Sequence, residues 1–243
     1  MNQFYSKRVP LLILISGTLS IGKSTIATKL SERMNISNVL QTKIISDVMA
    51  SLDQDYRFKP FWIDENIVTD EELIKSYEKE CKIIRKGVNY DIQKCMSEGK
   101  ALIIEGHHVI PKLYISKSNE ETEFKLFTPK PDGEIKEKER ERVVREEMGK
   151  LSHKGIIIPF LLVSNEKNQN YCVKNGIFFE GENVSYNEND EKSRIRLQIF
   201  LNKFRTIQDY LLKNCEVFVI KEINLDNSSQ LIVKLFLTQG SNA

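Results

Sequence analysis

The pattern that begins at Leu11 constrains the fold of this chain more than any other feature. It reads LLILISGTLSIGKSTIATKL, in which six apolar or small residues precede Gly17, and four residues later come Gly22, Lys23 and Ser24. This is the complete G-x-x-x-x-G-K-[ST] pattern, placed between a predicted buried strand and a predicted helix. Because glycines let the backbone turn tightly and bring its N–H groups to phosphate oxygens, the pattern predicts a phosphate-binding loop.

The residues of this loop are predicted to share the binding of a nucleotide. Lys23 would reach the β and γ phosphates, the Ser24 hydroxyl would hold Mg²⁺, and Thr25 would support the phosphates. The helix that begins here adds the positive end of its dipole. We therefore predict ATP and Mg²⁺ as ligands and a catalytic role for Lys23. The predicted nucleotide-binding residues are Gly17, Thr18, Ser20, Ile21, Gly22, Lys23, Ser24 and Thr25.

Length, charge and cysteine spacing narrow the class of protein. We predict one α/β domain over residues 1–243, with a charged excursion at residues 117–154. The formal net charge of +2, from 36 basic and 34 acidic residues, gives no reason to expect nucleic-acid or membrane binding. The apolar runs are too short to span a bilayer and no signal-peptide layout is visible. The cysteines are scattered along the sequence, which predicts reduced thiols. Together, these features favour a cytoplasmic protein.

Alternating strands and helices predict the architecture. The order of apolar runs and helical periodicities indicates a three-layer P-loop NTPase fold of the α/β class, with a parallel sheet and helices on both faces. The aromatic stretch Asp53–Asp70 fits either a mobile flap or a packed loop, and the excursion fits either a solvated helix or a partner-binding arm. The predicted strands are Val9–Ser16, Val39–Thr42, Ala101–Glu105, Gly155–Val163 and Val217–Ile220, and the predicted helices are Ser24–Met34, Lys43–Leu52, Glu71–Ser97 and Lys192–Leu212.

A carboxylate ends the strand ALIIE, at Glu105. The carboxyl ends of parallel strands face the ligand crevice, so Glu105 could hold Mg²⁺ through water or accept the proton of an acceptor hydroxyl. We predict Glu105 as a catalytic residue and, together with Ser24, as a metal ligand. The alternative is a structural carboxylate bonded to a neighbouring helix end. A GTPase is disfavoured, because the run from Asn202 fails the N-K-x-D pattern at its last residue, Arg205.

The phosphate loop and three further blocks carry a resemblance: IIEGHHVIP from Ile103, IIIPFLLVSNE from Ile156 and FRTIQDYL from Phe204. Together they resemble the 2-phosphoglycerate kinase family of P-loop kinases. IIEGHHVIP, which starts at Ile103, is similar to that family's apolar strand followed by E-G-x-H and Pro. FRTIQDYL, from Phe204, resembles its I-R-x-I-Q-x-Y-L helix, and IIIPFLLVSNE, from Ile156, resembles its V-P-F-x-L-x-V strand. The blocks cover nearly the whole chain apart from the excursion. The family also includes plant proteins linked to phytic acid accumulation, so membership does not fix one substrate.

The resemblance implies an ATP-dependent kinase that transfers the γ-phosphoryl group to the alcohol of a small acceptor. That acceptor would be phosphorylated or carboxylated, either similar to 2-phosphoglycerate or another phosphorylated metabolite such as an inositol phosphate. The substrate-binding residues that we predict are Lys43, His108 and Arg205. Lys43 replaces an acidic residue of the family's T-D-x-[IV]-R-E block, and it either suits a more anionic acceptor or is a surface lysine without a role. The alternatives are a packing histidine for His108 and a surface ion pair for Arg205.

One departure from the family leaves other functions open. After LLVS the family has a lid that contains His and Arg, whereas this chain offers only Lys167 and Lys174. Arginine binds phosphate oxygens in a bidentate fork, so its loss either moves that task to Arg194, Arg196 or Arg205, or marks weakened catalysis. A nucleotide-binding pseudo-kinase that acts as a regulatory or interaction module is therefore the main alternative, and a regulatory NTPase switch is another. The sequence predicts no particular oligomeric state.

Overall fold

The structure is a computed structural model that describes residues 9–52, 64, 66–115, 124–126, 155–167, 189–215 and 217–221. Some sequence predictions concern other residues and lie outside this description. These are the aromatic residues of the Asp53–Asp70 stretch, nearly all of the charged excursion, and Lys174 of the predicted lid. The prediction of a single domain over residues 1–243 likewise stays a prediction.

Six strands and six helices make up the described part of the chain. All five predicted strands are confirmed, with small differences at their ends, and a sixth lies inside the excursion. The strands are β1 (Leu11–Ser16), β2 (Val39–Gln41), β3 (Ala101–Glu105), β4 (Phe124–Leu126), β5 (Gly155–Val163) and β6 (Phe218–Lys221). The helices are α1 (Lys23–Met34), α2 (Thr42–Leu52), α3 (Asp70–Gly87), α4 (Asn89–Glu98), α5 (Lys112–Ile115) and α6 (Glu191–Asn214).

The strands form one parallel sheet in the order β2-β3-β1-β5, and both β4 and β6 pair with the outer side of β5. The residues of β1 alternate between two cores. Ile13 and Ile15 pack with α1 on one face, whereas Leu12 and Leu14 pack beside α4 on the other. The predicted three-layer α/β fold is therefore confirmed. None of the helices in the described ranges is long and apolar enough to cross a membrane.

Helix α1 follows the phosphate loop and covers one face of the sheet. Its sequence places Ile26, Ala27 and Leu30 on one face at helical spacing, and all three are buried against β1 and β3. Full burial of a side chain such as Ile26 or Leu30 stabilises the fold by about 1.5–3 kcal/mol. This packing fixes the axis of α1, and hence the direction of the N–H groups at its amino end, relative to the sheet.

The helix predicted at Glu71–Ser97 is wrong as a single element, because it is broken into α3 and α4 at Val88. Glycine disfavours helix interiors, and Gly87 stands directly before the break. A Cβ at Gly87 would lie 2.9 Å from Ile45 Cγ2, so the residue also lets α2 approach closely. Val88 is itself buried in the core. Apolar residues thus continue through the break, and the periodicity of the sequence gives no sign of it.

Apolar residues recur at helical spacing along the whole of α6, which predicts one buried face, but only the second part of that face is buried. Phe204, Ile207 and Leu211 are buried against α3 and the sheet, but Ile195 and Ile199 are exposed. The buried part of the helix starts at about Phe200, so the first turns extend beyond the core. Spacing alone could not distinguish the packed half of the stripe from the exposed half.

Candidate active site

The phosphate loop between β1 and α1 depends on unusual backbone angles. Gly17, Ser20 and Gly22 all have positive φ, at 140°, 62° and 85°. A Cβ at Gly17 would lie only 2.4 Å from Ile21 Cδ1 and 2.7 Å from the Leu162 carbonyl oxygen, so no other residue fits there. Ser20 adopts left-handed backbone without being a glycine, which is uncommon and costs energy. The loop is thus held in a specific, strained shape.

Two polar groups inside the loop fit an anionic ligand. The Thr18 hydroxyl is buried and has no hydrogen-bond partner among the described residues. An unpaired buried hydroxyl normally costs about 1–3 kcal/mol, which a ligand oxygen would offset. The Lys23 ammonium is also buried and donates a hydrogen bond of 2.6 Å to the Thr18 carbonyl. The residues present therefore fit the bound phosphates that the sequence predicts.

The charge of Lys23 is held in the protein interior. Burial lowers the pKa of Lys23 from 10.5 to about 8, although the nearby Glu105 carboxylate works in the opposite direction. Without a bound anion, the protonated lysine therefore destabilises the folded state. A phosphate group beside Lys23 would reverse this effect, because an opposite charge at short range favours the ammonium form.

We expect this buried charge to appear in the pH dependence of stability. Between pH 8 and 10.5 the unfolded chain holds the Lys23 proton more tightly than the folded chain does, so stability rises with pH in that window. The free energy of unfolding of the wild type, relative to Lys23→Met, should increase by about 3 kcal/mol across it. Denaturant unfolding of both proteins at the two ends of the window, without nucleotide, measures the difference. A constant difference would show that Lys23 titrates normally.

The two predicted metal ligands lie side by side. The Ser24 hydroxyl donates a hydrogen bond of 2.7 Å to Glu105 Oε1. The sheet register explains this contact, because Ile15, the penultimate residue of β1, pairs with Glu105 at the end of β3. A hydroxyl and a carboxylate are the oxygen ligands that Mg²⁺ prefers. Ser24 lies in the first turn of α1, so the same contact also fits the structural alternative.

Gly106 follows Glu105 and is pressed against the start of α2. Its φ is 150°, its N–H donates to the Ile15 carbonyl oxygen at 3.1 Å, and a Cβ on it would lie 1.8 Å from Thr42 Oγ1. Glycine at this position therefore lets β3 and α2 meet directly above the sheet. The carboxylate of Glu105 is placed by this turn as well as by the strand.

We expect Gly106→Ala to destabilise the protein by about 2–5 kcal/mol, because it combines backbone strain with a severe clash. Thermal or denaturant unfolding measures the change. Gly99→Ala is the matched control, since Gly99 also has positive φ but ends a helix. If the two substitutions cost the same, the contact between Gly106 and Thr42 would not be a constraint.

The structure places His108 in the interior rather than at an open acceptor site. Its Nδ1 lies 3.1 Å from Thr42 Oγ1 and its Nε2 lies 2.9 Å from Glu80 Oε1, so both ring nitrogens have protein partners. The packing alternative thus describes its contacts, and the predicted direct contact with an acceptor would require one of them to break.

The neighbouring His107 is buried too. Its ring centroid lies 3.7 Å from that of His108, and its carbonyl oxygen accepts a hydrogen bond from the Tyr77 hydroxyl. Burial, with His108, Lys23 and Lys43 nearby, holds the pKa of His107 well below its usual value. Potential metal-ligand atoms of Glu80, His107 and His108 lie within 4.8 Å of one another. Because both nitrogens of His108 are already hydrogen-bonded, we assign no metal to this group.

The other two predicted acceptor residues have different protein partners. Lys43, half-exposed on α2, forms an ion pair of 2.8 Å with Asp47 one turn later. Arg205 on α6 forms an ion pair of 2.7 Å with Glu166, just beyond β5. The surface-pair alternative therefore describes Arg205 in this structure. Arg194 and Arg196, the other candidates for the missing lid arginine, are exposed on the first turns of α6.

Sequence reasoning missed two residues that contact this site, Glu80 and Thr42. Glu80 lies on the buried face of α3, together with Leu73, Tyr77 and Ile84. A charged residue within an apolar stripe was the available signal, because a buried carboxylate requires a partner. Thr42 gave no comparable signal, since a threonine at the junction of a strand and a helix is ordinary.

Comparison with known proteins supports the resemblance seen in the sequence. The chain is 32% identical over 118 residues to the 2-phosphoglycerate kinase of Pyrococcus horikoshii, which covers 45% of this chain and 39% of that protein. It is 26% identical over 244 residues to the 2-phosphoglycerate kinase of Methanococcus maripaludis strain C6, which covers 87% of this chain and 71% of that protein. The chain is similar in sequence to archaeal 2-phosphoglycerate kinases.

The extent of this similarity is limited. The chain spans less than half the length of the first curated relatives that it matches, and no family model matches it. Among solved structures, shikimate kinase from Acinetobacter baumannii is similar at a TM-score of 0.45 and 12% identity, covering 96% of each chain. The similarity to 2-phosphoglycerate kinases confirms the predicted resemblance, whereas the roles of individual residues stay predictions.

Proposed function

We propose that this chain is an ATP-dependent kinase that phosphorylates an alcohol group of a small anionic molecule. The observation that carries the proposal is the hydrogen bond of 2.7 Å between Ser24 and Glu105. It joins the loop that would hold the nucleotide phosphates to a carboxylate at the carboxyl end of the adjacent strand. Similarity to 2-phosphoglycerate kinases supports the same class of reaction.

The proposed reaction is a direct transfer of the γ-phosphoryl group. The acceptor oxygen forms a bond to the γ-phosphorus, the bond from that phosphorus to the bridging β-phosphate oxygen breaks, and ADP leaves. Lys23 stabilises the negative charge on the phosphate oxygens. Ser24 and Glu105 would hold Mg²⁺, which neutralises further charge when bound. In the alternative in which Glu105 does not bind Mg²⁺ directly, its carboxylate accepts the proton of the acceptor hydroxyl.

The acceptor that we propose carries a phosphate or a carboxylate. Lys43 lies at the start of α2, immediately after β2, which pairs with β3 up to Glu105. Ligands of such sheets bind outside the carboxyl ends of the strands, so a cation there would face an anionic substrate. The named function of the relatives makes 2-phosphoglycerate the first acceptor to test. The comparisons give no support to an inositol phosphate or to the pseudo-kinase alternative.

An acceptor screen tests this function. The purified protein is incubated with ATP, Mg²⁺ and a panel of phosphorylated acids, sugar phosphates and inositol phosphates, and mass spectrometry detects phosphorylated products. We expect one class of anionic alcohol to gain a phosphate, with stoichiometric ADP. Hydrolysis of ATP without any phosphorylated product would contradict a kinase and favour the NTPase switch. Binding of ATP without either reaction would favour the pseudo-kinase.

We expect Lys43→Asp to raise the acceptor KM by about tenfold, since it removes one partly screened charge-assisted contact and adds repulsion. The KM for ATP should change little, and added salt should weaken acceptor binding to the wild type. Steady-state kinetics with each substrate varied in turn measures both effects.

Asp47→Asn is the matched control for Lys43→Asp, because it removes the ion-pair partner and leaves the lysine in place. It should not raise the acceptor KM. An unchanged acceptor KM in Lys43→Asp would show that Lys43 is a surface lysine without a role in acceptor binding. Activity on 2-phosphoglycerate that appears only in Lys43→Asp would show that the wild-type acceptor is a different molecule.

A further inference from the structure

A buried line of side-chain contacts connects α3 to the turn that follows Glu105. Glu80 on α3 contacts the Nε2 atom of His108, and the Nδ1 atom of His108 contacts the hydroxyl of Thr42. That hydroxyl oxygen lies against Gly106, where it leaves no room for a Cβ. Glu80, His108 and Thr42 are 6%, 1% and 0% exposed. These groups are therefore shielded from solvent, and their hydrogen bonds are held in one geometry.

The chemistry of the three groups limits the directions of these hydrogen bonds. A carboxylate can only accept, so the Nε2–H of His108 donates to Glu80. With a neutral ring, Nδ1 carries a lone pair and accepts the hydroxyl proton of Thr42, whereas with a protonated ring Nδ1–H donates to the hydroxyl oxygen, so His108 orients the hydroxyl in either case. Glu80 thereby sets the tautomer of the neutral ring, and His108 sets the rotation of the Thr42 hydroxyl. Removal of either partner would leave a buried polar group unpaired, which is costly.

Thr42 connects these buried contacts to the predicted acceptor site. It directly follows Gln41, which pairs with Glu105 across β2 and β3, and it is the first residue of α2. Its neighbour Lys43 is the cation proposed to face the acceptor. The position of Thr42 against Gly106 therefore sets the start of α2 relative to Glu105. The nucleotide loop is built separately, between β1 and α1.

We propose that Glu80 and His108 are positioning residues for the acceptor. They hold Thr42, and with it the amino end of α2, against Gly106, so that an anionic acceptor bound beside Lys43 is aligned with Glu105. His108 acts through Thr42 and does not itself touch the acceptor. This inference rests on the proposed kinase function, but it assigns a task that the nucleotide loop does not perform.

Two substitutions of His108 separate its two contacts. In His108→Asn the side-chain oxygen replaces Nδ1 and can still accept from Thr42, whereas the contact to Glu80 is lost. In His108→Gln the amide nitrogen replaces Nε2 and can still donate to Glu80, whereas the contact to Thr42 is lost. Thr42→Val removes the hydroxyl with little change in shape, and Thr42→Ser restores it. Ser51→Ala, at an exposed residue of the same helix, is the control.

We expect Thr42→Val and His108→Gln to raise the acceptor KM by about tenfold, the effect of one lost hydrogen bond, and to leave the ATP KM within about threefold. His108→Asn and Thr42→Ser should keep the acceptor KM within about threefold of the wild type. His108→Asn should nevertheless lower the melting temperature more than His108→Gln does, since it leaves the Glu80 carboxylate buried and unpaired. If these residues had a purely structural role, the variants with the lowest melting temperatures would instead have the highest acceptor KM values.

Two results would overturn the inference. A wild-type acceptor KM in Thr42→Val would show that the hydroxyl positions nothing. A raised acceptor KM in both His108 variants, with Thr42→Val unchanged, would show instead that His108 touches the acceptor directly.

Hydrogen–deuterium exchange tests the positioning even if the kinase function fails. If the wild type phosphorylates no acceptor, the proposed function is wrong, and exchange is measured without ligands at the second turn of α2, whose N–H groups are the first with partners inside the helix. Thr42→Val and His108→Gln should speed exchange there relative to the wild type and Ser51→Ala, because the end of the helix is no longer held. Unchanged exchange in both variants would overturn the positioning role as well.

Discussion

Lys23→Ala should reduce phosphoryl transfer by about 10³-fold or more and weaken ATP binding. Lys23 is buried inside the loop, and its ammonium is held by the Thr18 carbonyl oxygen until a phosphate replaces it. Preorganised charge in a site that excludes water stabilises a transition state far more than the same charge in solvent does. Turnover in an acceptor-dependent assay and calorimetric titration with ATP measure the two losses separately.

Lys29→Ala is the control for this substitution, because Lys29 lies on the same helix but outside the loop. It should leave both turnover and ATP affinity unchanged. Circular dichroism and a melting curve establish that Lys23→Ala is folded. A folded Lys23→Ala protein with wild-type turnover would show that the loop does not hold the reacting phosphates.

Glu105→Gln should lower turnover by about 10²–10⁴-fold, the range for a group placed to move a proton or to hold a metal at the reacting centre. The substitution keeps the shape of the side chain and can still contact Ser24. ATP affinity without Mg²⁺ should therefore change little. ATP affinity with Mg²⁺ should fall if the carboxylate is a metal ligand, and should stay constant if it only accepts the proton.

Glu32→Gln, at an exposed glutamate of α1, is the control for Glu105→Gln and should behave as the wild type. The two variants are compared by steady-state kinetics at saturating substrate and by their melting temperatures. A normal rate in Glu105→Gln, together with a lowered melting temperature, would assign this carboxylate a purely structural role at the start of α1.

The sequence predicted the sheet well because strands such as β1 and β3 are buried on both faces. Such strands are continuous apolar runs, and the loop motif also predicts the helix that comes after β1. The break at Val88 was not predicted because the apolar positions of α3 and α4 continue through it. The exposure of Ile195 and Ile199 was not predicted because it depends on where α6 meets its neighbours. Both errors concern how helices and strands pack against one another. The periodicity of a single element carries no information about that packing.

In the candidate site, too, contacts that follow from local sequence patterns were easier to predict than contacts between residues far apart in the sequence. Ser24 and Glu105 were predicted to hold the same metal ion, and they lie side by side because each stands where a recognisable strand ends or a helix starts. The partners of His108 were not, since Thr42 and Glu80 lie 66 and 28 residues away in the sequence. A histidine within a motif is equally compatible with a ligand contact and with a packed core, and only the three-dimensional arrangement distinguishes them.

The outer side of β5 has a consequence for the order in which the protein can be completed during synthesis. The amino end of β5 pairs there with β4, whereas its carboxyl end, Phe160 to Val163, pairs with β6. The same end touches the phosphate loop, because the Leu162 carbonyl oxygen lies beside Gly17. Ribosomes make a chain from its amino end, so the loop emerges well before β6, the strand that pairs with this end of β5. The nascent chain therefore carries the phosphate loop long before β6 can pair with β5.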